Sequence, residues 1–428
     1  MRFRDDTILY GDDALTTQIR HPSLTFVHLR QMLGWSSAPA ADDARARGGG
    51  AWFEDIGGMP WYSWLEAEGR GTLRLTSCCP HLCISAEELN AILLAHLSDR
   101  VAATLEEERS AGMSRKVTGA STVVAVPPWW GLCERRALRD AAFMGGIGGA
   151  APGELELIDS HLALAFKFLH EWSLRNSGGA AAAAVDGAPL EPANMTALLV
   201  DVGSTAVTAT VVTVARTFLA GSAGAEAVTE ESVVVEAVAW EPTVGGSSFD
   251  ELLARILTAR YTEQQDAVAA GSVGVQQQAA LGEALSGARA SATLLREAMR
   301  VKEVLSAGTV AYVTLEGLPV VGEEGFEGVL RTNITRAEFE AASEELVGRA
   351  VAPVGASLRR LALRRSVAVE TASGLLQSVQ LVGGGSRVPA LQRALRRNLR
   401  LPEDPEAGGL ALGAELNADE AIAHGGAF

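Results

Sequence analysis

The sequence predicts an α/β fold with two lobes, and three observations support this class. The chain has 428 residues, 48% of them hydrophobic, which is enough to bury a large core and to divide into lobes. Short β-branched segments alternate with amphipathic helical segments, as in parallel α/β units. In the segment 379–395 an apolar run leads into three glycines and then into a helical pattern. We therefore predict lobe I at 1–176, a low-complexity loop or linker at 177–193 and lobe II at 194–428.

Helix-breaking and helix-capping residues predict where the helices of lobe I end and begin. Pro22 should end a first helix, because proline cannot continue one. Ser85 and Glu88 have the spacing of a capping box, which predicts a long helix after them. The other predicted elements are helices at 14–20, 25–33, 133–144 and 160–175, small antiparallel strands within 52–76, strands at 121–126 and 155–158, and a flexible loop at 36–50.

Lobe II begins with an apolar strand that ends at Asp201. Thr335 and Glu338 repeat the capping-box spacing, and Pro353 should bend or divide the helical region that follows. The other predicted elements are strands at 207–214, 232–240 and 309–315, a helix at 249–256, an exposed polar loop at 264–278, a helix at 294–305, and a last helix at about 417–428 that packs back towards lobe I.

Charge and hydropathy exclude two classes of partner. The formal net charge is -16, and no long run of lysine and arginine provides the basic footprint that a nucleic acid requires. No apolar segment reaches the length of a membrane span, and the first residues lack the apolar core of a signal peptide. We therefore expect neither a nucleic-acid partner nor a membrane partner.

The cysteines invite a metal interpretation, because Cys78, Cys79 and Cys83 surround His81. The segment C-C-P-H-L-C lacks the paired spacing of a zinc site, and one short segment rarely supplies all four ligands. Ordinary strand or loop cysteines are therefore favoured.

Two glycine turns are the candidate binding elements. Gly383, Gly384 and Gly385 remove every Cβ where the backbone could pass close to a ligand, and Pro389 suits the first turn of a helix. Such a junction of strand, glycines and helix can hold a nucleotide against bare main chain. It can equally be a tight connection in an α/β domain.

The second turn follows Asp201, which an apolar strand delivers to the start of an Asp-x-Gly turn. Its carboxylate could hold phosphate through a divalent ion or water, and Gly203 allows a sharp turn beneath phosphates. Ordinary turn chemistry explains Asp-x-Gly as well. Two-lobed nucleotide folds carry one such turn on each side of a cleft, so the pair favours a nucleotide site.

Several motifs in order give the chain a specific resemblance. They read T-V-V-A-V-P-P-W-W-G, A-L-L-V-D-V-G-S-T, L-L-R-E-A-M-R-V-K-E-V-L-S, N-I-T-R-A-E-F-E, L-V-G-G-G-S-R-V-P and N-A-D-E-A-I-A-H-G. This order resembles the nucleotide-binding domain of the heat-shock protein 70 superfamily over nearly the whole chain. The details look most like its large members, the glucose-regulated protein 170 (hypoxia up-regulated) and heat-shock protein 110 branches. The resemblance implies an actin-like (ribonuclease H-like) two-lobed ATPase fold.

The resemblance also implies roles for individual residues. Asp201 matches the carboxylate that holds metal through water, and Arg30 stands where the catalytic lysine belongs. The residues that would bind ATP or ADP with Mg²⁺ are Gly203, Ser204 and Thr205 at phosphate, Lys302 and Ser306 at the ribose or base edge, and Gly384, Gly385 and Arg387 at the adenosine.

Departures from the family pattern predict weak or absent hydrolysis. Ser160 stands where a glutamate belongs, Thr208 where a second aspartate belongs, and Glu303 where an arginine stacks on adenine. Two of three acidic positions are thus lost, which should raise the barrier by several kcal/mol. The family also begins with a hairpin carrying the first phosphate loop, and nothing upstream of Leu9 supplies it, so we expect an N-terminally incomplete fold.

Three functions remain open from sequence. The first is a co-chaperone that promotes nucleotide exchange on a conventional heat-shock protein 70, with unfolded clients bound only through a domain absent from this chain. The second is an active ATP-hydrolysing chaperone domain, and the third an actin-like scaffold that binds no nucleotide. The resemblance, together with glycosylation patterns at Asn194 and Asn333, suits the endoplasmic reticulum lumen, with the cytoplasm as the alternative.

Overall fold

The computed structural model divides the chain into two compact units, each of which contains several separate stretches of sequence. Unit 1 comprises 1–122, 130–156 and 247–343, and unit 2 comprises 123–129, 157–246 and 344–428. These units do not follow the contiguous division at 177–193, so the proposed lobe boundaries remain a prediction. The structure describes residues 1–4, 7–34, 62–66, 73–77, 83–111, 122–147, 155–186, 193–219, 228–268, 275–320, 327–401, 410–413 and 415–428.

Unit 1 contains three small antiparallel sheets together with several helices. Its described strands are β1 (Arg2–Arg4) and β2 (Thr7–Leu9), β3 (Tyr62–Glu66), β4 (Leu73–Ser77) and β5 (Cys83–Ser85), and β11 (Val310–Pro319) and β12 (Glu327–Thr335). Its helices are α1 (Gly11–Gln18), α2 (Ala86–Ser110), α3 (Leu132–Met144), most of α5 (Gly246–Val268), α6 (Val275–Leu285), α7 (Ala288–Ala307) and α8 (Arg336–Ala342).

Unit 2 is built on a five-stranded sheet with the order β10-β9-β8-β13-β14. The strands of this sheet are β8 (Ala193–Val202), β9 (Val207–Leu219), β10 (Val228–Glu241), β13 (Ser378–Val382) and β14 (Leu412–Gly413). Strands β6 (Thr122–Val126) and β7 (Leu155–Asp159), most of whose residues belong to unit 2, pair with each other in a separate two-stranded sheet. The helices of unit 2 are α4 (Ser160–Asp186), α9 (Glu344–Arg365), α10 (Val369–Ala372), α11 (Pro389–Leu399) and α12 (Ala421–Gly425). Strand β9 runs antiparallel to both of its neighbours, β8 and β10, whereas β13 runs parallel to β8.

The core of unit 2 lies on both faces of this sheet. Residues 197–200 of β8 are all fully buried, as expected for a central strand covered on both sides. On one face α4 packs Leu164, Phe168 and Trp172 against Ala197, Leu199 and their neighbours. Helix α9 packs on β9 and β10, α11 packs against α9, and α12 packs against α4. Helices therefore cover both faces of the sheet from which β8 and β13 deliver the residues of the candidate site.

The caps predicted from sequence are confirmed in the structure. Ser85 Oγ accepts from the Glu88 amide, and Glu88 Oε2 accepts from the Ser85 amide, so the capping box of α2 is complete. Thr335 Oγ1 accepts from the Glu338 amide at the start of α8. The predicted helix at 133–144 and strand at 121–126 agree with α3 and β6 to within one residue.

The helix predicted at 25–33 is wrong. Two short 3₁₀ turns, Pro22–Leu24 and Leu29–Met32, replace it, with extended backbone between them. The Phe26 amide donates to the Met1 carbonyl, and His28 has φ 55°, which a helix does not allow. Pairing with the first strand therefore prevails over the helical pattern.

Three other predictions differ from the structure. Helix α4 runs to Asp186 rather than Arg175, because the alanines of the predicted linker are strong helix formers. Much of the predicted loop at 264–278 is helical, since α5 ends at Val268 and α6 begins at Val275. Of the two effects predicted for Pro353, bending or dividing the helical region, division does not occur: Pro353 is buried inside the continuous α9, where packing on the sheet offsets the lost backbone hydrogen bond.

Some predictions concern residues outside the described ranges. These are the loop at 36–50 and the cysteine cluster at Cys78, Cys79 and His81. Cys133 is described, and it is exposed and free. No described helix combines the length and the apolar character that crossing a bilayer requires.

Candidate functional site

The first glycine turn closes directly after β8. Asp201 and Val202 end the strand, and the Gly203 amide donates to the Ala206 carbonyl at 2.9 Å. The Gly246 amide in turn donates to the Gly203 carbonyl at 2.9 Å, so helix α5 begins against this turn. A Cβ on Gly245 would lie 2.4 Å from the Ser204 carbonyl oxygen, which explains the glycine there.

The second glycine turn lies beside the first. Strand β13 pairs in parallel with β8 so that Val382 is opposite Asp201. Gly383 follows with φ 80°, and a Cβ on it would lie 2.3 Å from the Val202 carbonyl oxygen and 2.7 Å from Asp201 Oδ1. Only glycine allows this approach of the two backbones.

The two turns therefore share one edge of one sheet, whereas sequence reasoning expected them on opposite sides of a cleft. The physical reason is the parallel pairing of β8 and β13, because the carboxyl ends of parallel neighbours meet at the same edge. Gly385 completes the contact, since a Cβ there would lie 2.6 Å from Val202 Cγ1. This edge is where ligands bind in many open α/β sheets.

Residues Gly384 to Arg387 form a 3₁₀ turn before α11. Arg387 Nη2 donates to Asp419 Oδ2 at 2.9 Å, and both side chains are more than half exposed. The Gly383 amide donates to the Ala418 carbonyl at 2.9 Å, which holds the segment before α12 against the turn. Asp419 was not among the predicted site residues, although the motif N-A-D-E that contains it was part of the resemblance.

The carboxylate of Asp201 has an uncharged neighbour where the family pattern has a second aspartate. Thr208 lies directly opposite Asp201 in the β8/β9 pair and is 5% exposed. Ser160 is the first residue of α4. Among the described residues no group of three histidine, cysteine or acidic side chains could hold a metal ion. One carboxylate suits Mg²⁺ that keeps its waters and is held mainly by phosphate oxygens.

The other predicted nucleotide contacts lie on α7 in unit 1. Lys302 Nζ lies 2.7 Å from Asp250 Oδ2, and Ser306 Oγ donates to the Lys302 carbonyl at 2.9 Å. Glu303, one residue on, is exposed and lines a cavity of about 590 Å³ with Leu15 of α1. Burial raises the pKa of Asp250 to about 6, although Lys302 opposes the rise.

Arg30 also lies in unit 1, in the 3₁₀ turn Leu29–Met32, where it is exposed. The turn is anchored by Asn90 of α2, whose Nδ2 donates to the Leu29 carbonyl at 2.9 Å. The structure thus groups Asp201, Gly203, Ser204, Thr205, Gly384, Gly385 and Arg387 in unit 2, and Arg30, Lys302 and Ser306 in unit 1.

Comparison with known proteins defines the class. Residues 227–428 match the family model described as Hsp70 protein, so the resemblance to the heat-shock protein 70 superfamily is confirmed over this part of the chain. The fold class is accordingly the α/β, actin-like ATPase fold of that family. Domains of this family bind nucleotide with Mg²⁺, which is consistent with the two glycine turns at one sheet edge.

The particular relatives belong to the large branch of the family. The chain is 25% identical to hypoxia up-regulated protein 1 of Danio rerio over 99% of its own length and 35% of that protein. It is 26% identical to the Mus musculus protein of the same name, over 98% of this chain and 34% of that protein. Heat shock 70 kDa protein 17 of Arabidopsis thaliana is 25% identical over 100% of this chain and 40% of that protein. The chain therefore spans between 34% and 40% of these relatives, and the matches support a chaperone-type nucleotide-binding domain.

Proposed function

We propose that this chain binds ATP or ADP with Mg²⁺ and acts as a co-chaperone that promotes nucleotide exchange on a conventional heat-shock protein 70. The observation that carries the proposal is the pairing of two glycine turns with Asp201 at one edge of the unit 2 sheet. Bare backbone there can approach phosphate, and Asp201 can hold a hydrated Mg²⁺.

We propose that this domain hydrolyses ATP weakly or not at all. Catalysis of phosphoryl transfer depends on positioning water and neutralising charge with metal-bound carboxylates and a cation. Thr208 lies opposite Asp201 in the strand register and carries a hydroxyl rather than a carboxylate, so the position of the second acidic residue is uncharged. Losing such electrostatic groups typically costs about 3 kcal/mol each in the barrier, or roughly 10²-fold in rate.

A calorimetric titration of the full chain tests nucleotide binding. We expect heat of binding for Mg·ADP and Mg·ATP, and its loss in Asp201→Asn. The matched control is Glu415→Gln, which alters a carboxylate at a different place in unit 2, hydrogen-bonded to Gln380 at 3.1 Å. Absence of any binding heat in the unaltered chain would favour the scaffold alternative instead.

Two rate measurements then separate an exchange factor from an ATPase. Phosphate release from Mg·ATP should stay near the uncatalysed background. Release of a fluorescent ADP analogue from a conventional heat-shock protein 70 should accelerate when the chain is added. Rapid phosphate release with no effect on the partner would support the active chaperone domain and contradict the exchange role.

Names of the relatives support the partner and compartment only indirectly. Proteins called hypoxia up-regulated protein 1 are similar to this chain, and we extend to it the endoplasmic reticulum lumen and a heat-shock protein 70 partner as part of the proposal. Fractionation of cells that express the full-length gene product, with lumenal and cytoplasmic markers, tests the compartment.

A further inference from the structure

Every charged residue of helix α11, in unit 2, is an arginine. Arginines recur at intervals of three and four residues, the spacing of one side of a helix, at Arg393, Arg396, Arg397 and Arg400. Three of them are exposed and Arg396 is half-buried, whereas the apolar residues of the helix are buried at Ala390, Leu391, Leu395 and Leu399. We call these four arginines the α11 arginine stripe.

The stripe lies in a basic part of an acidic chain. Residues 359–400 contain nine arginines and one acidic residue, whereas the whole chain has 36 lysines and arginines against 52 aspartates and glutamates. Some of these arginines are used within unit 2, as Arg364 is, whose Nε lies 2.9 Å from Glu236 Oε2. The guanidinium groups of Arg397 and Arg400, in contrast, have no hydrogen-bond or ion-pair partner among the described residues.

Folding alone does not explain the stripe. Like charges three or four residues apart on a helix repel each other, and the stripe contains four such pairs. The helix dipole favours cations in the last turn, which covers Arg396 and Arg397 but not Arg393. On α7 the same spacing joins opposite charges instead, since Arg300 pairs with Glu297. The repulsion within α11 therefore disfavours the folded helix and indicates that the arginines serve another purpose.

Arg400, the last residue of the stripe, adds backbone strain. It has φ 56° and ψ 37°, the left-handed conformation that glycine adopts freely and that other residues adopt at a cost in energy. Glycine is accordingly the common residue where a helix ends in this conformation. An arginine at this position favours a role for its exposed side chain.

We propose that the α11 arginine stripe binds an extended acidic segment of a partner protein. Guanidinium groups pair with carboxylates through two parallel hydrogen bonds. Neighbouring arginines of the stripe are about 5 to 6 Å apart by helix geometry, and alternate residues of an extended chain are about 6.6 Å apart on one side. Acidic residues at every second position therefore match the stripe. The proposal does not depend on nucleotide binding, because none of the four arginines is among the proposed nucleotide-binding residues.

Two other anionic partners fit the stripe less well. An amphipathic helix binds a membrane through its apolar side, whereas the apolar side of α11 is buried within unit 2. Nucleic acids present phosphates over a long surface, but the stripe spans only about 10 Å and the chain as a whole carries a net charge of -16. A short acidic peptide segment avoids both conflicts.

Fluorescence anisotropy of a labelled peptide of alternating glutamate and alanine, with the full chain, tests the proposal. We expect binding at low salt that weakens as salt is added. Arg397→Gln combined with Arg400→Gln should weaken it about tenfold, because two exposed ion pairs are lost. The matched control is Arg136→Gln combined with Arg139→Gln on α3, where both arginines are exposed, have the same spacing and give the same change in net charge. An equal loss in both double variants, or no loss in the α11 variant, would overturn the proposal.

Charge reversal distinguishes direct pairing from an indirect effect on folding. Arg397→Glu combined with Arg400→Glu should abolish binding of the glutamate peptide and create binding of a peptide of alternating lysine and alanine. Loss of the first without gain of the second, in a variant that keeps its Tm, would contradict direct pairing. If the variant unfolds, the unaltered protein decides. Equal affinity for the glutamate peptide and for the same peptide with glutamine would then refute the proposal.

Two further measurements address the other occupants. Tighter binding of a single-stranded oligonucleotide of the same charge than of the glutamate peptide would assign the stripe to nucleic acid and reject an acidic polypeptide. Three acidic residues follow α11 in the sequence, namely Glu403, Asp404 and Glu406. Converting all three to their amides should leave the affinity for the peptide within about twofold. A rise of about tenfold would show that the chain's own acidic residues occupy the stripe, and would overturn the assignment to a partner.

Discussion

At the scale of single residues, the candidate site depends on glycines that no other residue can replace. Gly383 combines φ 80° with the closest approach of two parallel strand ends, and Gly385 packs against the Val202 side chain. A Cβ added at Gly383 would also clash with Asp201 Oδ1, which would lie 2.7 Å from it. The close approach of Gly383 therefore involves both the backbone of Val202 and the carboxylate of Asp201.

Gly383→Ala should lower the free energy of unfolding by about 2 to 4 kcal/mol, because it adds left-handed strain to a backbone clash. Urea denaturation measures the change. Gly348→Ala is the matched control, since it lies inside α9 and an added Cβ meets no atom within 4 Å. The control should be neutral or stabilised by up to about 1 kcal/mol. Equal effects in the two variants would contradict this account of the turn.

The raised pKa of Asp250 predicts how the stability of the protein depends on pH. Its folded pKa of about 6 lies above the ordinary value of 3.8, so the folded protein binds more protons than the unfolded chain between these values. Stability from this group is therefore greatest at low pH and falls as pH rises towards 6, by up to about 3 kcal/mol. Unfolding of Asp250→Asn should lack this slope. Parallel curves for the two proteins between pH 4 and 6 would show that burial does not raise the pKa of Asp250.

At the scale of elements, the helices begin where local chemistry directs them and extend as far as packing allows. The capping box fixes the start of α2, and Thr335 fixes that of α8. Packing on the sheet keeps α9 continuous through Pro353. At these two helices the local capping signal therefore locates the start.

Ser85→Ala should cost about 1 kcal/mol of stability, because it removes the acceptor for the Glu88 amide. Combined with Glu88→Ala, the loss should be smaller than the sum of the two single losses, since the two bonds form one reciprocal cap. Thermal unfolding measured by circular dichroism gives all three values. Strict additivity would show that the two bonds act independently.

At the scale of the whole molecule, the residues predicted to bind nucleotide belong to two different units. Unit 2 holds the glycine turns with Asp201, and unit 1 holds Lys302 and Ser306. A ligand that binds only the folded chain stabilises it by mass action. Nucleotide binding should therefore be visible in global unfolding.

Mg·ADP at 100 times its dissociation constant should stabilise the chain by about 2.7 kcal/mol, measured as a rise in Tm. Asp201→Asn should abolish most of this rise, and removal of Mg²⁺ with EDTA should reduce it. An equal rise in Tm for Asp201→Asn and the unaltered protein would exclude Asp201 from the site.

Much of the fold was predictable because its signals are local. The apolar run before Asp201, the glycines at 383–385 and the Ser85 cap each depend on a few neighbouring residues. The predictions that were wrong concern segments whose structure depends on contacts with residues far away in the sequence. Pairing of Phe26 with Met1 replaced a helix, and Gln264 is helical while its Nε2 donates to the Val329 carbonyl at 2.7 Å. Asp419 was missed as a site residue because its approach to Arg387 depends on how the segment before α12 folds back.

The sequence by itself determined the α/β class, the family resemblance and the two glycine turns, because hydrophobic period, glycine content and motif order are properties of short segments. Tertiary structure alone decided that both turns share one sheet edge, that Thr208 lies opposite Asp201 and that Asp250 holds Lys302. Each of these pairs is brought together by strand register or helix packing, which depends on residues far apart in the chain.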